Sequence, residues 1–179
     1  MKTSRWFALG LALSLISVPA YSASERPGSL GINYTVGPSF IAGGSGATNR
    51  SSVEPGVGTA LTLRATRNAD LLFAYDYIDA DIRAQAITFG AAYRLRPVSP
   101  AYVPFVGAGI GFGKPVSGQD WDHFSLKLTG GVEKMVATDI SLSAVFTYQY
   151  VEGPSPFGSV HVIWPGIRLT YYFANLKKR

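Results

Sequence analysis

Three observations predict an all-β fold, an eight-stranded antiparallel up-and-down transmembrane β-barrel. Eight strand-length segments carry bulky apolar side chains on every second position. A secretory leader precedes them, and the six charges within them fall on the opposite face, among small residues. Successive side chains of a strand point to opposite faces, so each segment has one apolar and one polar face.

The leader comes first. Lys2 and Arg5 form a positive start, and Trp6 to Val18 an apolar core of about 13 residues, too short for a helix that spans a bilayer. Ala20 and Ser22 are small residues at −3 and −1, which predicts a signal peptide over 1–22 with cleavage after Ser22 or Ala23. A short linker, 23–29, leads into the barrel, expected over 30–173, with a basic tail at 174–179.

The mature chain of roughly 156 residues suits one domain. No Cys is present, so no disulfide framework supports it. Removing Lys2 and Arg5 lowers the net charge from +5 to +3, and Lys177, Lys178 and Arg179 account for that remainder. The body is balanced and lacks the broad basic face that nucleic-acid binding requires.

Strand one sets Leu30, Ile32, Tyr34 and Val36 against Gly31, Asn33, Thr35 and Gly37, and a Gly- and Ser-rich loop is expected from Gly43 to Pro55. Strand two carries Val57, Thr59, Leu61 and Leu63 opposite Gly58, Ala60, Thr62 and Arg64, and Arg67 to Asp70 reads as a tight turn. Strand three offers Leu71, Phe73, Tyr75 and Tyr77, with Ala74 and Asp76 behind them. Strand four offers Ile87, Phe89, Ala91, Tyr93 and Leu95 over Thr88, Gly90, Ala92 and Arg94, and Pro97 to Pro100 ends it because Pro cannot donate to a ladder.

Strand five, Tyr102 to Phe112, alternates Val106, Ala108, Ile110 and Phe112 with Gly107, Gly109 and Gly111. Strand six sets Phe124, Leu126, Leu128 and Val132 against Ser125, Lys127, Thr129 and Glu133. Strand seven is the clearest, with Ile140, Leu142, Ala144, Phe146, Tyr148 and Tyr150 on one face. The last sets Ile167, Leu169, Tyr171 and Phe173 against Gly166, Arg168, Thr170 and Tyr172.

Connections after strands one, three, five and seven come to roughly 13, 5, 9 and 8 residues, the others to about 4. Outer-membrane barrels show this asymmetry, with short periplasmic turns and longer external loops. A barrel also removes the unpaired strand edges that hydrocarbon does not tolerate.

Arg64, Asp76, Arg94, Lys127, Glu133 and Arg168 share the polar face, and a lipid-facing Arg or Lys costs about 2–4 kcal/mol near the midplane. That face is therefore expected to point inward. A soluble ligand-holding barrel would need the reverse. The six charges are expected to form a salt-bridged lumen plug, with Asp76 and Lys127 in the outer half and the other four lower. Four bases against two acids leave an excess of about two positive charges, so water or an anion is expected inside. Aromatic girdles are expected from Tyr77, Phe112, Phe124, Tyr148 and Tyr150 at the external rim, and from Tyr93, Tyr102, Tyr171 and Phe173 at the periplasmic rim.

Tyr102-Val-Pro-Phe-Val-Gly-Ala-Gly-Ile-Gly-Phe112 resembles the fifth strand of OmpA-like small outer-membrane barrels. Leu128 to Glu133 resembles their sixth strand, and Gly166 to Phe173 their last. The resemblance implies an outer-membrane location in a Gram-negative cell envelope, with lipid and lipopolysaccharide around a monomer. It also implies insertion by the outer-membrane assembly machinery, which would read Gly166, Leu169, Tyr171 and Phe173 as its signal. Relatives often end on that last aromatic, whereas here Ala174 to Arg179 follow. No cofactor and no metal are expected.

His123-Phe-Ser125 is similar to the His-x-Ser pair of barrels that deacylate lipid A, since base and nucleophile two apart share a strand face. Glu133 lies roughly 26 Å along an extended strand from Ser125, and Leu126 replaces the Asn that follows the Ser in those enzymes. No enzyme is expected. His161 has no obvious partner, and Asp79, Asp81, Asp120 and Asp122 read as solvated loop carboxylates. A structural barrel with surface-binding loops is therefore favoured over a narrow pore or small-solute channel.

Overall fold

The computed structural model describes residues 27–43, 52–78, 84–97, 101–114, 120–153 and 158–175. The expected leader, Asp79, Asp81 and the end of the basic tail lie outside them. Eight strands close into one antiparallel barrel in sequence order. They are β1 (Ser29–Gly43), β2 (Ser52–Arg64), β3 (Ala69–Ile78), β4 (Ala84–Arg94), β5 (Val103–Lys114), β6 (His123–Ala137), β7 (Ile140–Val151) and β8 (Val160–Asn175). The ring is completed by β1 against β8, from Ser29–Asn175 to Gly43–Val160.

The alternation resolves into an exposed apolar outside and a polar inside. Phe89 and Ile110 are each 60% exposed, and Tyr34, Val57, Phe73, Val106, Phe146 and Leu169 share that outer surface. Asn33, Thr62, Thr88, Thr129, Ser143, Thr147 and Gln149 are buried on the inner face. Glycines allow the tight curvature. A Cβ on Gly111 would stand 1.9 Å from the Ile87 carbonyl oxygen, so a side chain there would force β4 and β5 apart.

Several strands run longer than the sequence suggests. β1 continues to Gly43 and β2 begins at Ser52, leaving only residues 44–51 between them where a loop reaching Pro55 was expected. Pro55 stands directly opposite Pro38, so two residues without amide donors face each other, and Ser39 Oγ donates to the Glu54 carbonyl at 2.7 Å. β8 reaches Asn175, two residues beyond Phe173, and pairs Ser29 there.

The expected contrast in loop length also weakens. Residues 65–68 and 138–139 are short links, but 95–102 between β4 and β5 match the length of 115–122 and 152–159. There β4 ends at Arg94, before Pro97, and Leu95 N–H donates to the Pro104 carbonyl at 2.9 Å, tying the longer connection to β5.

Candidate functional site in the barrel interior

Inward side chains from six strands meet near the end of the barrel that holds the β2–β3 and β6–β7 turns. Arg64 on β2 and Asp70 on β3 are direct cross-strand partners, and Arg64 Nε lies 3.3 Å from Asp70 Oδ1. Arg94 of β4 reaches the other Asp70 oxygen at 2.5 Å. It also donates to Glu133 Oε2 of β6 from Nε at 2.9 Å and Nη2 at 2.7 Å.

The second Glu133 oxygen accepts from Ser141 Oγ at 2.7 Å and from the Tyr172 hydroxyl at 3.2 Å. Tyr172 in turn accepts from Arg64 Nη2 at 2.5 Å, and the Arg64 guanidinium lies 4.8 Å from its ring centre. Asp70 thus has a cation on each oxygen, and Glu133 has cations on one oxygen and hydroxyls on the other, as a buried charge requires.

Higher in the barrel, Lys127 Nζ of β6 donates to Asp76 Oδ2 of β3 at 2.5 Å. Gly58 makes room for this pair, since a Cβ there would come within 2.5 Å of Asp76 Oδ1 and 2.8 Å of the Trp164 ring. Trp164 lies 5.8 Å from Lys127 Nζ. Around Trp164 the interior turns apolar: Ile41, Ile78, Ala84, Val160 and Val162 pack with it toward the opposite end.

Arg168 sits between the two groups of ion pairs. Its Nε donates to Thr35 Oγ1 at 3.2 Å and its Nη2 to Thr129 Oγ1 at 3.5 Å, with the Phe105 ring 5.5 Å away. Among the described residues no carboxylate reaches it at ion-pair distance.

The six charges expected to share the polar face all point inward, with Asp76 and Lys127 separate from the lower group. The sequence reading missed Asp70, Tyr172, Ser141 and Trp164. Asp70 was assigned to a turn, yet β3 begins at Ala69 and places it inward beside Arg64. Among these residues the count becomes four bases against three acids, an excess of one where two were expected, with Glu54 a further inward acid higher on β2. Parity carried the signal: Asp70 and Asp76 share a face, as do Trp164, Arg168 and Tyr172.

The other singled-out residues are placed as follows. Phe112, Phe124, Tyr93, Tyr102, Tyr171 and Phe173 are exposed on the outer face, and Tyr77, Tyr148 and Tyr150 are partly exposed there. Leu169, Tyr171 and Phe173 are exposed together on β8. His161 does have partners: Tyr148 OH lies 2.8 Å from its Nδ1, and the Tyr150 ring is 5.3 Å away. His123 Nε2 lies 3.3 Å from exposed Asp122, while Ser125 is fully buried and accepts from Gln149 Nε2 at 3.4 Å.

A closed antiparallel barrel with an apolar outside and a charged inside is the architecture of small outer-membrane barrels. No protein-family model and no curated protein matches the sequence. Among solved structures, Neisserial surface protein A is similar with a TM-score of 0.66 at 15% identity, over 80% of this chain and 97% of that one. The N-terminal β-barrel domain of Pseudomonas aeruginosa OprF matches with a TM-score of 0.54 at 12% identity, over 81% and 98%. Ail, the attachment invasion locus protein of Yersinia pestis, matches with a TM-score of 0.51 at 12% identity, over 82% and 100%. At these identities the likeness is one of fold.

Proposed function

We propose that this chain is an exported outer-membrane barrel of the OmpA-like kind, closed by its own interior side chains, with a structural and surface-interaction role. The observation that carries this reading is the interior network of Arg64, Asp70, Arg94, Glu133 and Tyr172, which ties five strands across the lumen. Above it, the Asp76–Lys127 pair and the packing around Trp164 occupy the outer half. An eight-stranded barrel is just wide enough for side chains to fill.

The apolar outer surface supports a lipid surround, since contiguous apolar patches beyond a few hundred Å² are rare on soluble monomers. The outward aromatics at both strand ends suit the headgroup level, where lipopolysaccharide would be the external neighbour. Exposed Leu169, Tyr171 and Phe173 on β8 suit recognition by the assembly machinery, and the closed ring of strands suits a monomer.

Planar-bilayer recording on purified protein tests the closed lumen. The expected trace is silent, and stable, reproducible conductance steps would overturn the plug in favour of a small-solute channel. Folded protein in detergent should also migrate differently on a denaturing gel before and after boiling. No enzymatic role is proposed, so His123→Ala should leave lipid A composition unchanged, and loss of an acyl-chain edit would refute that.

A further inference from the structure

We propose that the barrel interior holds one monatomic anion, a halide such as chloride, on the guanidinium of Arg168. A void of about 30 Å³ lies beside Arg168, and its lining includes Lys127, Thr88, Thr129 and Asn33 but no carboxylate. Arg168, Lys127 (itself paired with Asp76) and two threonines therefore line one largely apolar space. About 10–15 Å³ of such space already holds a water, so the void has room for one compact ion.

The charge balance points the same way. Asp70 and Glu133 are shared by Arg64 and Arg94, and Asp76 is taken by Lys127, which leaves Arg168 with hydroxyl partners only. Arginine does not deprotonate in proteins, and an unpaired buried charge is strongly destabilising. The next inward acid, Glu54, is four residues further up β2 than Gly58, the partner of Asp76, about 13 Å along the strand.

Asn33 adds a second indication. Its Nδ2 donates to Thr62 Oγ1 at 2.7 Å, while its Oδ1 has no partner. Turning the amide over keeps a bond to Thr62, now accepted from the hydroxyl, and sets an N–H donor where the orphan oxygen stands. Asn33 then donates alongside Arg168, an arrangement that suits an anion.

The test uses the refolded full barrel. Crystals grown in sodium bromide should show anomalous density in the void against the Arg168 guanidinium, and Arg168→Met crystals should lose it. In detergent, the temperature that converts half the folded band should rise with sodium chloride or bromide relative to sodium gluconate, a bulky organic anion, at equal ionic strength. A ligand that binds only the folded state stabilises it in proportion to the logarithm of its concentration. Water alone in the wild-type void, or identical midpoints in halide and gluconate, would overturn the proposal. Both wild-type measurements stand even if Arg168→Met fails to fold.

Discussion

Glu133 has a cation or hydroxyl on each side of its carboxylate, and replacing it exposes how much of the interior depends on one acid. Glu133→Gln leaves Arg64 and Arg94 to share Asp70 alone. Breaking a buried pair in this way should lower stability by about 3–5 kcal/mol, read from urea unfolding in lipid vesicles. A wild-type midpoint would mean that water already solvates the pair. Gly58 offers an independent check at the upper pair. Gly58→Ala drives a methyl against Asp76 and Trp164 and should cost about 1–3 kcal/mol by overpacking. Gly130→Ala is the control: its nearest neighbour would lie at 3.6 Å, so stability should stay within about 0.5 kcal/mol. Equal losses in the two variants would rule out local crowding as the cause.

The strands differ in how completely they pair. Between β1 and β8 the register shifts once, between Leu30 and Gly31, and pairing lapses between Val36–Ile167 and Phe40–Ile163, the stretch that holds Pro38 and Pro165. Pro38 also faces Pro55 across the β1–β2 ladder. By contrast β4, β5 and β6 pair without interruption through Gly109 and Ile110. Amides around Gly37 and Ser39 should therefore exchange with deuterium faster than those of Gly109 and Ile110, as magnetic resonance in micelles would report. Equal protection would show that the prolines leave no weak seam. This segment also marks where sequence reading stopped. Period-two alternation is local, so the eight strands were legible without any tertiary knowledge. Whether a proline ends a strand depends on what stands opposite it, and the pairing of Pro38 with Pro55 is a matter of register that no single segment displays. The interior partners divide in the same way. Lys127 and Asp76 could each be placed on the inner face by parity, but their meeting across β3 and β6 is a product of closure.

For the whole molecule, the inversion of polarity is the property most open to a direct test. Phe89 lies midway along β4 and is exposed to the surround. Phe89→Arg should lower stability in bilayers by about 2–4 kcal/mol, measured as the folded fraction against urea. No loss would argue that this surface meets water. The interior is also uneven along its axis, apolar around Trp164 and Ile78 and charged around Glu133. In the proposed orientation the dry end faces the cell exterior and the polar end the periplasm. In that orientation the ion-paired Arg64, Asp70, Arg94 and Glu133 stand nearest the periplasm, and the aliphatic side chains and indole around Trp164 nearest the exterior, so a single plug meets its two compartments with opposite chemistry.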